Sequence, residues 1–383
     1  MLLPAGMLTE LAGGLDVSLP AAGSLLVASG IVVAIGAPLV AAVTSQVDRR
    51  LLLVASLLLY GLSHVLSAMA ASFDLVFAMR MAMAVSAAIF TPQAASTLGA
   101  LLPPERRSAA LTFAFVGWSM ATVGGVPLGG YVAHAFGWQT AFAIVAALSV
   151  MAAIAVWLTV PGGVRIAPLN AAAWRRVLTS PAMLLVLMVT ILNGTGQFTV
   201  FTYLTPSLKW SLAAGAGLVT AVLAWYGVCA TVGNVIAARM VAEIGAPRSA
   251  LIALVSMTVG LVAWGLSAHH LSAVLVAATV WGLGTFATNS IQQARLANIA
   301  PDVASASIAL NTSAIYLGQA AGSAFGGALI KADWLASLPF AGAMLLALAA
   351  GVSMLANRYE VRASRDASPH AVATCDAKAD QSY

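Results

Sequence analysis

Eleven runs of about twenty apolar residues, joined by short loops, make up most of this chain. They lie near residues 22–43, 51–70, 75–97, 109–132, 139–160, 183–204, 214–238, 250–268, 271–294, 306–329 and 338–356. A helix of about twenty residues rises ~30 Å, the thickness of a bilayer's hydrocarbon layer. In that medium each segment must satisfy its own backbone hydrogen bonds, so an all-α membrane fold is predicted. Only 8% of the 383 residues are charged, against roughly 25% in a soluble domain. The net charge of +5 does not point to nucleic acid, because the basic residues sit in loops between apolar runs. Cys229 lies in an apolar run and Cys375 in the polar tail, which gives neither a disulfide nor a metal-ligand spacing. No nucleophile–base pair or acid pair shares one depth, so no enzyme chemistry and no cofactor are expected.

The opening, Met1 to Ala12, is apolar but too short to cross, and lacks the basic start of a cleavable leader. Numbered as span 1, it makes the eleven runs spans 2 to 12. Residues 161–182, with Pro161-Gly-Gly163 and Trp174-Arg-Arg176, read as a linker between residues 1–160 and 183–357. Residues 358–383 read as a disordered polar tail. Of 17 basic residues, 14 fall in the loops after spans 2, 4, 6, 8 and 10 or in the tail. Only Lys209 and Lys331 lie in the opposite loops, and Arg80 is inside span 4. The arginine-rich side, with the C-terminus, is therefore expected to face the cytoplasm.

Within span 5, Gly117, Ala121, Gly125 and Gly129 are four apart and share a helical stripe, beside Gly124 and Gly130. Small residues so placed let another helix approach closely in lipid, and Pro127 removes a backbone donor and bends the helix. A shift of 197 residues, the separation of Gly130 and Gly327, lays Gly30 on Gly227, Gly36 on Gly233, Gly125 on Gly322 and Gly129 on Gly326. Pro104-Glu105 falls on Pro301-Asp302. Every pair joins span 2 to 8, span 5 to 11, or loop 4–5 to loop 10–11. Two six-helix halves repeated in the same direction are predicted, a transporter arrangement. The stripes of Gly117–Gly130 and of Gly318, Gly322, Gly326 and Gly327 are expected to act as hinge and seal where the halves meet.

Several segments carry a family likeness: Gly36-Ala-Pro-Leu39 through Asp48-Arg49-Arg50, Leu102-Pro-Pro-Glu-Arg-Arg107, Gly124-Gly-Val-Pro-Leu-Gly-Gly130, Gly137-Trp138, and Gln293 through Gly322. Over residues 2–357 the chain resembles the major facilitator superfamily, and within it the bacterial twelve-helix drug:proton antiporters and sugar-efflux proteins. Thr44-Ser-Gln-Val47 and Ala84 depart from the family pattern. Family members generally start about two dozen residues earlier, so span 1 looks truncated. The resemblance implies a monomeric bacterial inner-membrane exporter of a small organic molecule, with protons as the coupling ion. A truncated member disabled for transport is the open alternative.

The resemblance also implies that spans 1, 4, 7 and 10 line a cavity, flanked by 2, 5, 8 and 11. Asn193 and Gln197, four apart on span 7, are then candidate substrate contacts, as are Trp118, Trp225, Tyr226, Trp281 and Tyr316. The alternative for each is ordinary helix packing. Arg80 matches a family arginine implicated in proton handling; the alternative is snorkelling beside Asp74. His64 on span 3 is expected to be structural. Asp48, Arg49, Arg50, Glu105, Arg106 and Arg107 are expected to pair across the cytoplasmic face, as a gate that closes when the cavity faces outward.

Overall fold

The structure is a computed structural model that describes residues 1–44, 46–103, 117, 120–165, 171–267, 269–300 and 303–379. Fifteen α-helices are named here in chain order. Two short helices, α1 (Leu3–Gly6) and α2 (Leu8–Gly14), form the span 1 segment. Spans 2, 3 and 4 are α3 (Leu19–Val43), α4 (Arg49–Ala68) and α5 (Phe73–Leu101). Span 5 is described from a π-helical turn, Ala121–Gly125, into α6 (Val126–Phe136), and span 6 is α7 (Trp138–Thr159). The linker contains α8 (Ala171–Thr179). Span 7 is broken into α9 (Pro181–Phe201) and α10 (Leu204–Leu212). Spans 8 to 11 are α11 (Ala216–Ile244), α12 (Ala246–Ser267), α13 (Leu271–Ile299) and α14 (Ala304–Lys331). The last is α15 (Leu338–Ala379), which continues through the segment whose composition predicts a disordered tail. Arginine, glutamate and alanine beyond Asn357 are good helix formers, and propensity favours carrying the helix on.

Local chemistry fixes the ends. Ser18, Asp48, Ser72 and Ser180 each accept a hydrogen bond from the backbone N–H three residues on, capping α3, α4, α5 and α9. Pro181 stands at the first helical position of α9, where no N–H is needed. Gly137, at φ +88°, makes the turn from α6 to α7, and Gly245, at φ +83°, makes the turn from α11 to α12. The π-helical turn stands immediately before Pro127, whose ring and missing N–H disturb the preceding carbonyls, so the predicted bend is a π-bulge.

Among the described residues nine helices are long and apolar enough to cross a membrane, which is fewer than the eleven full spans predicted. Span 5 is described only in part, and α14 carries Asn311, Gln319 and four glycines that lower its hydropathy. Leu58, Leu62, Leu148, Met151, Met344 and Leu348 are exposed on α4, α7 and α15. In water such a belt would aggregate; in a bilayer it faces its solvent.

In the first half α4 packs on α5 and α7, and α3 on α5. In the second, α13 packs on α11 and α12, and α15 on α9 and α12. The halves meet where α3 lies on α14 and α6 on α11. The 197-residue repeat is visible in the contacts. A Cβ on Gly30 would stand 3.0 Å from the Ala320 Cβ, and one on Gly227 would stand 2.8 Å from the Val123 Cα. Gly30 and Ala320 are the shifted counterparts of Gly227 and Val123. The break between α1 and α2 follows Gly6, and its counterpart Tyr203 stands at the break between α9 and α10.

Candidate functional site

The face carrying the arginine-rich loops is called inner, the opposite face outer. At the outer face the halves are tied by polar bonds. Lys209 Nζ of α10 stands 2.9 Å from Glu10 Oε1 of α2 and donates to Thr9 Oγ1 at 2.7 Å. Thr9 donates in turn to Glu10 Oε2 at 2.8 Å. Thr205 of α10 donates to the Ala5 carbonyl of α1 at 3.3 Å. The break in span 7 turns α10 so that Thr205 and Lys209 both meet span 1. Nearer the middle, Tyr203 donates to the Ser323 carbonyl at 3.0 Å, and its hydroxyl lies in the gap left by Gly23 of α3 and Gly327 of α14. Tyr316 packs onto Val33, Ala37, Met83 and Ala88 of the first half.

The glycine stripes are placed differently from expectation. Gly129 and Gly130 admit Leu3 and the Gly6 carbonyl of α1, within their own half. Gly318, Gly322 and Gly326 admit the α9 backbone, again within one half; a Cβ on Gly318 would stand 2.6 Å from the Ile191 carbonyl. Among the described residues no atom stands within 4 Å of a Cβ placed on Gly117, Gly124 or Gly125. Gly327 approaches the other half, 3.6 Å from the Pro20 Cβ, and Gly130 borders a small void shared with Thr205 and Lys209. The tight glycine approaches across the seam are instead at Gly23, Gly30 and Gly227. The reason is rotational: span 5 turns the Val123 side toward α11 and its Gly129–Gly130 side toward α1.

The second half holds a buried polar network. Asn193 donates to Thr288 at 3.1 Å, and Gln197, one turn on, donates to Tyr226 at 3.3 Å. The Tyr226 hydroxyl bonds Thr285 at 2.8 Å, so α9, α11 and α13 are joined at one level. Thr190 donates to Asn311 of α14 at 2.7 Å. Asn193 Oδ1, Asn311 Nδ2, Gln319 Nε2 and both amide atoms of Gln292 are buried with hydrogen-bonding capacity left over. Of these, Thr190, Thr285, Thr288, Gln292, Asn311 and Gln319 escaped the sequence reading, since isolated amides and threonines on apolar helices carry no spacing signal. Tyr226 and Trp281 stack at 4.5 Å, and Trp281 meets Trp264 edge-on at 6.1 Å inside the same bundle. Trp225 lies on the opposite face of α11, 46% exposed, and donates to Thr279 at 2.9 Å. The aromatic candidates therefore do not form one wall; Trp118 lies outside the described residues.

Arg80 does not snorkel. Its side chain is 1% exposed and donates to the Met1 carbonyl at 2.7 Å and to Met83 Sδ at 3.1 Å. His64 bonds the Tyr60 carbonyl through Nδ1 at 2.8 Å and packs against the Tyr60 and Phe142 rings.

At the inner face the described contacts of the charged side chains stay within one half or reach the linker. Asp48 accepts from the Gly163 N–H, Arg49 donates to Gln93, and the Arg50 guanidinium lies 3.8 Å over the Trp157 ring. The Gly163 and Leu51 N–H bonds hold the Asp48 carboxyl below its usual range. Arg295 of α13, 1% exposed, bonds Glu360 at 2.6 Å and Ser353 at 2.9 Å, both on α15. The expected cross-face partners Glu105, Arg106 and Arg107 lie outside the described residues.

Two repeated helical halves, tied at one membrane face, with a buried polar network in the second, have the architecture of a membrane transporter. The chain belongs to the Major Facilitator Superfamily, whose sequence model matches residues 1–224. It is therefore a multi-pass secondary transporter of a small molecule, and not an enzyme. It is 30% identical over 347 residues to the "Inner membrane transport protein YdhP" of Escherichia coli, covering 90% of this chain and 89% of that one. It is 26% identical to a "Probable sugar efflux transporter" of Mannheimia succiniciproducens, covering 90% and 86%. It is 29% identical to a "Chloramphenicol resistance protein" of Streptomyces lividans, covering 83% and 82%. The fold matches a crystal structure of a bacterial homologue of the lysosomal transporter Spinster, inward-facing and unoccupied, with a TM-score of 0.74, 15% identity and 94% of each chain covered.

Proposed function

We propose that the chain exports a small organic molecule across the bacterial inner membrane in exchange for protons, as a monomer with its C-terminus in the cytoplasm. The observation that carries this reading is the asymmetry of the seam. Glu10–Lys209 and Thr205–Ala5 bridge the halves at the outer face, while the described contacts of Asp48, Arg49 and Arg295 at the inner face stay within one half or reach the linker. On this reading the chain stands in the inward-facing member of a pair of conformations, and a rocking of the halves that parts the Gly30 and Gly227 contacts gives the other. Export is favoured by the names of the relatives, among them sugar efflux and chloramphenicol resistance. The network of Asn193, Gln197, Tyr226, Thr285 and Thr288 suits a neutral substrate that offers hydroxyl or amide groups, with aromatic surface nearby. Arg80, buried in span 4, is the coupling residue under this reading.

The test is flux. A pump-deficient strain expressing the chain is screened for drug resistance and sugar efflux. The purified protein in vesicles is then given an imposed proton gradient and the substrate found. Substrate movement against its gradient, with proton movement the other way, is expected. Substrate movement without proton movement would remove the antiport reading. No movement of any substrate would favour the transport-inactive alternative.

A further inference from the structure

The outer closure contains a third ionisable group that the proposed cycle does not use. His134 of α6 places Nδ1 3.7 Å from the same Glu10 Oε1 that meets Lys209 Nζ at 2.9 Å. Glu10 and His134 belong to the first half and Lys209 to the second. Of the helices that pack on α2 and on α6, α1, α3 and α7 contain no titratable side chain, and the charged residues of α11, Arg239 and Glu243, stand at its opposite, inner end. From α10 the one charged residue is Lys209, and Thr9 bridges it to the carboxylate. A void of about 10 Å³, room for one water, is lined by Gly6, Glu10, Pro127, Thr205, Lys209 and Thr220. The Glu10 side chain is 14% exposed and that of His134 57%, so the imidazole is open to the outer solution while the carboxylate is not.

We propose that His134 and Glu10 form an external proton-binding site whose occupancy decides whether Lys209 can hold the outer face closed; the proposal rests on the alternating-access reading above. With a neutral imidazole, Glu10 has one cationic partner, and it lies across the seam. A proton taken from the outer solution onto His134 gives the carboxylate a second cation within its own half. The imidazolium draws Glu10 toward α6 and repels the Lys209 ammonium, so the tie between the halves weakens. Imidazole is the side chain that changes charge between pH 5 and 8. External acid therefore favours the outward-open state, the state in which an antiporter takes up its proton. Solvent screens an exposed pair, so the closed-to-open ratio is expected to change by about two- to fivefold.

The experiment reads distance, not flux. Spin labels at A135C and A332C, on the outer ends of α6 and α14, are measured in the full chain in lipid nanodiscs, with Cys229 and Cys375 replaced by alanine. No substrate is present, so a failure of the transport reading in the vesicle assay leaves this measurement unaffected. The parent is expected to be closed at pH 8 and to gain a longer-distance population by pH 5.5. H134Q is expected to stay closed at both values. E10Q is expected to show the longer population at both. The charge exchange E10K/K209E is expected to close the face again at pH 8, which covers the case in which E10Q does not fold. A parental pH response in H134Q, a parental closed population at pH 8 in E10Q, or an open face at pH 8 in E10K/K209E would each overturn the proposal.

Discussion

Replacing Gly227 by alanine puts a methyl group where the two halves touch, and replacing Gly318 puts the same group where two helices of one half touch. At Gly227 the new Cβ would stand 2.8 Å from the Val123 Cα and 3.0 Å from its Cγ2. At Gly318 it would stand 2.6 Å from the Ile191 carbonyl oxygen and 3.0 Å from the Gly194 Cα. Ordinary carbon contacts begin near ~3.5 Å, so both sites are overpacked, at a cost of about 1–3 kcal/mol each. The gain of helix propensity from glycine to alanine, about 1 kcal/mol, is common to every conformation and cancels from the comparison. The destination of the cost differs. Val123 and Gly227 lie on opposite halves and part when the outer face opens, so G227A penalises the closed state alone. Its population relative to the open state should fall about 5- to 150-fold. Gly318 and Ile191 move together, so G318A leaves that ratio near parental and lowers the melting temperature by a few degrees. Label distances across the outer face report the first effect and thermal unfolding in detergent the second. G30A, facing the Tyr316 carbonyl at 2.8 Å, should behave as G227A does. If G318A shifted the distance distribution as far as G227A, or G227A left it unchanged, the seam would not lie where the repeat places it.

At the inner face, D48N should free the 161–165 segment, read as faster hydrogen exchange at Gly163 with little change in global stability. The pH sign follows from the lowered Asp48 value: the tether is complete above the ordinary aspartate value of 3.8 and is lost as pH falls through the lower folded value, so acid exchange in the parent should approach that of D48N. R295A leaves the Glu360 carboxylate, 15% exposed, without its cation and should cost about 3 kcal/mol. R295A/E360A should recover part of that in a thermal melt; equal losses in the single and double variants would show that the pair is not the source. Under the antiport reading, R80A should bind substrate but lose proton movement driven by it, and unimpaired coupling in vesicles would make Arg80 structural.

Outside spans 5 and 12 the apolar runs match the helices to within about six residues, because in lipid a segment of that length has no alternative to a helix. Span 2, for example, was expected near 22–43 and is Leu19–Val43. Repetition is also legible: a shift of 197 residues pairs Gly30 with Gly227, since a repeated half must repeat its close approaches. What the sequence could not supply was direction around each helix axis. A glycine stripe says that something approaches; it does not say whether the neighbour belongs to the same half. Hence Gly129, Gly130, Gly318 and Gly322 pack inside their halves, and the seam falls to glycines in spans 2 and 8. The same limit hid the outer closure. Lys209 stands out only as an exception to the charge bias of the loops, and Glu10 only as the carboxylate nearest a cavity. They are 199 residues apart, and the break that divides α9 from α10 brings them to 2.9 Å. Period and composition are local properties and fix which segments cross the membrane. Rotation, breaks and pairing across halves depend on packing between distant segments, and only the tertiary structure decides them.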